Sequence, residues 1–401
     1  MPGIRRLPGM RDEGHVALER RTALQGTLQD LLTAHGYRGI DTPILEPTEL
    51  FLRKSGGELA ARMYTFTDPG GNRVSMRPEF TSSAIRYYLE LSESESVSLP
   101  LRLQYAGPVF RYDEAQGYKQ FQQLGAEIIG AESATDGELL ALALEGLWAI
   151  GVVDPKCVIG HVGILHSMLD ALGISHRTRE LLISNIQGLK DESQDSQAIL
   201  GQADKLGLVR SIKGTDQGLQ AVVNELGEAE SISLLENLFQ DSLSNLTGSR
   251  SSQEILSRFV RKSQQGDRPE DIEKGISLLK RVVSIERSGE EVLTDIGIVL
   301  EEFGLDRGIL GPLAETLGDF RSNYPSADLI VDISLVRGIS YYTGMVFDLV
   351  ASGGEKNIML GGGGRCDGLV KALGGKEQTP TLGFAYNIES LLVTLLDDKE
   401  A

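Results

Sequence analysis

Leu101-Arg-Leu-Gln-Tyr-Ala-Gly-Pro-Val-Phe-Arg111 and Gln120-Phe-Gln-Gln-Leu-Gly-Ala-Glu-Ile-Ile-Gly130 decide the fold. Both are strand-like and flank a polar stretch, Tyr112 to Lys119, a pattern that predicts two long antiparallel strands. Gln123 and Glu127 lie four positions apart in the second, so they share one face of that strand.

Working outward, Leu24, Leu28, Leu31 and Leu32 fall at helical spacing and Gly36 supplies a stop, which predicts an amphipathic helix. Tyr37 to Glu46 reads as a strand interrupted by Pro43, a residue confined to sheet edges or bulges. Thr135 with Glu138 offers a capping box for a helix through Leu139, Leu142, Leu147 and Trp148. From about His166 to Leu317 helical periodicity dominates, with polar breaks at 247–253 and 264–269. Strand-like runs return at Ala327 to Val336, Tyr341 to Val350 and Asn357 to Leu360, followed by Gly361 to Gly364 and a closing helix near Ile388 to Leu396. This order predicts an α+β fold: a discontinuous core from residues 1–165 and 318–401, with an antiparallel sheet flanked by helices, and a helical insertion domain at 166–317. A doubly wound parallel sheet is disfavoured.

The composition narrows the function. A chain of 401 residues with 41% hydrophobic content can bury a large core. No apolar run of membrane-spanning length occurs, and Met1-Pro-Gly-Ile-Arg-Arg lacks the apolar stretch of a signal peptide, so a soluble cytoplasmic protein is expected. The formal charge of -18 disfavours extended binding to nucleic acid, leaving room only for a local basic channel. Cys157 and Cys366 are far apart and unpaired in sequence, so no disulfide framework or zinc site is expected from them. His161 and His166 are five apart, not the i, i+4 spacing of a helical metal pair, which favours a surface or helix-start role and no metal.

Several polar residues sit where apolar ones would be expected. Glu79 and Thr81 lie in Met76-Arg-Pro-Glu-Phe-Thr81, Arg111 ends the first long strand, Gln123 and Glu127 share a face of the second, and Arg337 stands beside Gly338. Two acids and two arginines on one sheet face would form a floor for a zwitterion, the acids pairing with an amino group and the guanidinium forks with carboxylate or phosphate. The same residues also fit a solvated face carrying ion pairs. Gly361-Gly-Gly-Gly-Arg365 lacks the Gly-Lys-Ser/Thr ending of a phosphate-binding Walker loop, and both a ligand loop and a plain turn fit it. Tyr341 and Tyr342 would place one aromatic on each face of a strand, one of them in the core.

Together these segments resemble histidyl-tRNA synthetases and their paralogue, the regulatory subunit of ATP phosphoribosyltransferase, over nearly the whole chain outside the insertion. Tyr37 to Glu46 looks like class II motif 1, Gly107-Pro-Val-Phe-Arg111 through Gly130 like motif 2, and Gly361 through Leu391 like the approach to motif 3 and motif 3 itself. Arg337-Gly-Ile-Ser-Tyr-Tyr-Thr-Gly344 matches a signature of the histidine enzymes and their relatives. The resemblance implies a class II aminoacyl-tRNA synthetase-like fold and a homodimer through the motif 1 region at Pro43. It implies a histidine site in which Glu79 and Thr81 hold the amino group, Gln123 and Arg337 address the carboxylate, and Glu127 with Tyr342 recognises the imidazole. Arg111 would meet carboxylate or α-phosphate, Tyr341 would line the same site, and Gly361, Gly362, Gly363 and Arg365 would form a ligand loop.

Departures from the synthetase pattern choose between the relatives. The motif 3 arginine that fixes the ATP γ-phosphate is replaced in Asn387-Ile-Glu-Ser390, and Ser390 offers neither positive charge nor a fork, so this ATP site reads as degenerate. The usual Phe-Arg-x-Glu of motif 2 is Phe110-Arg-Tyr-Asp113, with a loop about two residues short. Cys366 replaces a usual tyrosine, and Ser340 a usual aspartate. The sequence ends a few residues after motif 3, with no anticodon-binding domain, so tRNA is not expected as a partner. The expectation is a non-catalytic, histidine-binding, allosteric regulatory subunit. It would assemble with a short-form ATP phosphoribosyltransferase catalytic subunit, control the first step of histidine biosynthesis, and use no cofactor beyond histidine as effector. The alternatives are a histidine-activating ligase with a rebuilt ATP site, and a synthetase-like protein with some other partner such as a translation regulator.

Overall fold

The computed structural model describes residues 3–54, 56–112, 118–132, 135–210, 266–285, 291–324, 329–337, 341–353 and 356–400. The chain divides into two compact units, Met1–Leu165 with Ile285–Ala401, and His166–Ser284. The core therefore takes in the helices of 291–323, most of which was expected in the 166–317 insertion from periodicity.

The first unit begins with α1 (His15–Ala34), β1 (Arg38–Gly39), β2 (Leu45–Pro47), α2 (Thr48–Leu52), α3 (Gly56–Arg62), β3 (Thr65–Thr67), β4 (Arg73–Met76) and α4 (Thr81–Ser94). Leu24, Leu28 and Leu32 form the buried stripe of α1, and Gly36 follows it with a positive φ of 82° that favours glycine. The motif 1-like stretch is two short strands, β1 and β2, with Pro43 between them.

The predicted pair of long strands is present as β5 (Leu101–Phe110) and β6 (Gln120–Ile129), antiparallel in unbroken register from Leu101 opposite Ile129 to Phe110 opposite Gln120. After α5 (Asp136–Ala149) and β7 (Lys156–His161), this unit resumes with a helix at Glu291–Glu302, a 3₁₀ turn at Arg307–Leu310 and a helix at Gly311–Asn323. It closes with β8 (Leu329–Val331), β9 (Met345–Gly353), β10 (Lys356–Arg365), a short helix at Leu369–Ala372, β11 (Thr381–Asn387) and the closing helix Ile388–Glu400. The main sheet runs β1-β5-β6-β11-β10-β9-β7-β8 and is antiparallel except at its two edges, where β1 pairs β5 and β7 pairs β8 in parallel. A separate antiparallel sheet has the order β2-β4-β3.

Three local expectations change. Thr135 does not close a capping box: its hydroxyl turns back to the Glu132 carbonyl at 2.5 Å, and Glu138 faces Arg102 instead. Tyr341 and Tyr342 precede β9 rather than lying in it. Gly361 to Gly364 are neither turn nor loop but the end of β10, paired with β9 and β11. The polar break at 247–253 lies outside the described residues, as do most of the Tyr112 to Lys119 loop, Gly338 and Ser340.

The second unit packs α7 (His176–Ser184), α8 (Ile186–Lys190), α9 (Ser196–Lys205) and a helix at Pro269–Val283. The last of these begins with proline in its first turn, where a missing N–H costs nothing. Gly275 lets it approach closely, since a Cβ there would stand 2.5 Å from Ile174 and 3.2 Å from Leu169. His161, in the first unit just ahead of α6 (Val162–Ala171), which crosses into the second unit at His166, accepts the Ile164 N–H through Nδ1 at 3.2 Å, the helix-start role expected of it.

Candidate functional site

Strand alternation and register place the site on one face of the main sheet. Glu127 on β6 lies between Leu103 on β5 and Gly383 on β11, which in turn faces Gly364 on β10. One pair along, Tyr105, Gly125, Ala385 and Gly362 form the next row. Paired residues in antiparallel strands point to the same side, so the centre of this face is a floor of glycine and alanine. The opposite face is packed by helices, with the Tyr386 hydroxyl donating to the Ala143 carbonyl of α5 at 2.6 Å.

The bare floor is what the polar side chains require. A Cβ on Gly383 would collide with the Glu127 carboxylate, and one on Gly362 with the Arg337 guanidinium. One on Gly364 would come within 2.9 Å of the Tyr342 ring. The glycine run thus acts by absence of side chains, allowing Arg337 and Tyr342 to lie against the sheet.

Glu127 is buried, at 1% exposure, and holds a strained electrostatic position. Its Oε1 accepts from Thr81 Oγ1 at 2.6 Å and from the Tyr105 hydroxyl at 2.9 Å, whereas Oε2 has no hydrogen-bond partner among the described residues. Burial pushes its pKa up to about 8; the Thr81 and Tyr105 hydrogen bonds oppose the shift and nearby Glu79 adds to it. An unpartnered buried acceptor is costly, and it marks where a donor is wanted.

Glu79 is also buried, and both its oxygens accept the Ser82 N–H, at 3.2 and 3.1 Å, at the start of α4. Burial raises its pKa, with the Ser82 hydrogen bond and the Arg111 charge opposing. Arg111 donates from Nε to the Pro78 carbonyl at 2.8 Å and sits 5.3 Å from the Phe121 ring centre. Arg337 donates to the Phe347 carbonyl at 2.9 Å and forms an ion pair with Asp348. Gln123 shares the Glu127 face of β6, two register positions beyond Gly125. Tyr342 is half-buried, its phenol pushed up to about 12 by burial, with the Arg337 charge opposing. Tyr341 is fully buried in a cluster with Ala84, Ile85, Leu103, Ile129 and Cys366, so it is the core member of the tyrosine pair.

Arg365 does not belong to a ligand loop. All five of its N–H groups are engaged: with Asp136 from Nε at 2.9 Å and from Nη2 at 2.5 Å, with the Ala131 and Glu132 carbonyls at 2.9 and 2.8 Å, and with Asp367 at 3.0 Å. It braces the start of α5. Cys366 is buried against Thr381, Sγ to Oγ1 at 3.3 Å.

At the other end of β11, Ser390 stands in the first turn of the closing helix, its N–H donating to Asn387 Oδ1 at 3.2 Å. Beside it, Glu389 accepts the Gln122 N–H on both oxygens, at 3.0 and 2.8 Å, and pairs with Arg11 at 2.6 Å. Arg11 lies 4.6 Å from the Tyr118 ring centre. Tyr105, Asp348, Gly383 and Arg11 were not singled out in the sequence. Asp348 carried a signal, as the lone charge in the apolar run Met345-Val-Phe-Asp-Leu-Val-Ala351.

The sequence model of the histidyl-tRNA synthetase family matches residues 9–246 and 277–391. Histidine–tRNA ligases of Methanocaldococcus jannaschii and Methanococcus vannielii are 29% and 27% identical over 394 and 392 residues, covering 97% of this chain and 75% of each relative. Among solved structures, an ATP phosphoribosyltransferase regulatory subunit/histidyl-tRNA synthetase from Bacillus halodurans matches with a TM-score of 0.64 at 21% identity, over 98% of this chain and 83% of that one. A histidine–tRNA ligase subunit from Alicyclobacillus acidocaldarius matches with 0.62 at 24%, over 100% and 99%. The fold is that of the class II aminoacyl-tRNA synthetases.

Proposed function

Because this chain belongs to the histidyl-tRNA synthetase family, we propose that it binds L-histidine over β6 and serves as the regulatory, non-catalytic subunit of an ATP phosphoribosyltransferase, paired with a short-form catalytic subunit. The observation that carries the ligand is Glu127 Oε2, a buried carboxyl oxygen without a hydrogen-bond partner among the described residues. A neutral imidazole supplies an N–H of the right polarity, and its planar ring suits the glycine floor and the Tyr342 ring. A ligand lacking that N–H leaves the carboxylate unpaired, which is the physical basis of selectivity. Glu79 would take the ammonium group, aided by the lone pairs of Thr81. The donors of Arg337 not committed to Asp348 and Phe347, together with Gln123, would take the carboxylate. In this reading L-histidine acts as effector, and no metal or cofactor is proposed at this site.

Ser390 supports regulation over catalysis, since a serine cannot fix a triphosphate as an arginine fork does. A structural relative with the regulatory-subunit name agrees with it. Feedback then requires histidine to favour one state of the assembly, which it does by binding that state more tightly. The exposed Ile44 and Leu45, which follow Pro43, offer the apolar surface for pairing with a second copy. The test is reconstitution: adding the purified chain to a short-form catalytic subunit should switch on phosphoribosyl transfer, and L-histidine should then inhibit it. A chain that neither activates nor confers inhibition contradicts the proposal.

A second reading, a histidine-activating ligase, is favoured by relatives named as ligases along 97% of the chain and by Arg111 at the end of β5. In that reading Arg11, held by Glu389 beside Ser390, would supply the missing positive charge.

A further inference from the structure

The second unit carries a cluster that has no part in the histidine site. His166 on α6, and His176 and Glu180 one turn apart on α7, bring their ligand atoms to within 4.8 Å of one another. Glu180 Oε1 lies 3.5 Å from His166 Nε2 and 3.8 Å from His176 Nε2. Both separations exceed the roughly 2.7–3.2 Å of an N–H to oxygen hydrogen bond, so the carboxylate is bonded to neither ring. The two imidazole centres stand 6.0 Å apart. Three potential ligand atoms thus lie close together, with neither Glu180 contact at hydrogen-bond distance. In a tetrahedral site with bonds of about 2.0–2.2 Å, ligand atoms are spaced by roughly 3.3–3.6 Å, close to the two distances here.

We propose that His166, His176 and Glu180 form a binding site for one divalent transition-metal ion of the zinc class. Two imidazole nitrogens with a carboxylate oxygen suit zinc, and the nitrogen content disfavours magnesium and calcium, which take all-oxygen sets. The i, i+4 spacing of His176 and Glu180 puts both on one face of α7, and His166 comes from the helix before it. Arg179, between the two α7 ligands, forms an ion pair with Asp170. His176 and Glu180 are solvent-accessible, with side-chain exposures of 71% and 49%, so an ion has a path in. Three protein ligands leave a fourth position for water. Sequence spacing missed this group because it compared His166 with His161, whereas the partner lies across the turn between two helices.

The test uses the full, tag-free chain, stripped with a chelator and titrated with Zn²⁺ by calorimetry in histidine-free buffer, with Co²⁺ absorption as a geometric probe. The expected result is about one ion per chain, tetrahedral visible bands with Co²⁺ and no displacement by excess Mg²⁺. His176→Gln and Glu180→Gln, both at exposed positions and checked for an intact fold by circular dichroism, should each weaken zinc binding on the order of a hundredfold, at least as much as loss of a supporting outer-sphere partner costs. Zinc binding that survives in His166→Gln/His176→Gln, or that is no tighter than millimolar in the native chain, overturns the proposal.

Discussion

Glu127 concentrates the chemistry of the site in one side chain: a carboxyl group at 1% exposure with two hydroxyl donors on one oxygen and no hydrogen-bond partner for the other among the described residues. Its pKa of about 8 in the folded chain stands above the ordinary 4.5. The folded state therefore holds a proton that the unfolded state releases, so this group's contribution to stability is full below pH 4.5 and is lost as pH rises toward 8. The expected loss is at most about 1.4 kcal/mol per pH unit within that window. In the ligand-free protein, Glu127→Gln should flatten this part of the profile and raise the melting temperature at pH 8 relative to the native chain; an unchanged slope in paired thermal melts would refute the assignment. The same substitution should weaken L-histidine binding by roughly tenfold to a hundredfold, the range for losing a hydrogen bond to a charged group. Glu127 and Gln123 were legible as one strand face because strand periodicity is strict. The Tyr105 contact was not, since it depends on which strand lies next to which.

Among the elements, β10 shows how a sequence pattern can be read correctly as an anomaly and wrongly as a loop. Glycines at 361–364 raise no periodic signal, yet pairing on both sides keeps them in the strand. Their physical reason is the set of flat-lying side chains above them, and those come from segments remote in sequence. Gly364→Ala should push Tyr342 off the floor, weakening histidine binding and costing about 1–3 kcal/mol of stability from overpacking. Arg365→Met separates site from scaffold: it leaves Asp136 buried and unpaired, and should cost about 3–5 kcal/mol by denaturant unfolding. Histidine affinity measured below the transition should change far less than with Gly364→Ala; equal losses would place Arg365 in the binding site after all. The long strands β5 and β6 were visible because each spans ten residues of consistent character. Strands β7 and β11 went unseen, the first at six residues and the second interrupted by Gly383 and merged with the start of a helix.

At the scale of the molecule, the chain joins a class II synthetase-like sheet to a helical unit, with a net charge of -18. Among the described residues no helix is long and apolar enough to cross a membrane. The boundary of the helical unit was not legible at its C-terminal side, because helices 291–302 and 311–323 have the same periodicity whichever body they pack on. The family membership was legible, because motifs in fixed order carry it. Which relative's role this chain fills turns on few residues, above all Ser390. In the proposed function, the site over β6 senses histidine without activating it. The most direct test is histidine-dependent exchange of labelled pyrophosphate into ATP by the purified chain, with histidine binding followed by calorimetry in the same samples. Saturable binding without exchange is the predicted result; exchange at the rate of a histidyl-tRNA synthetase run alongside would contradict it and make the chain a ligase.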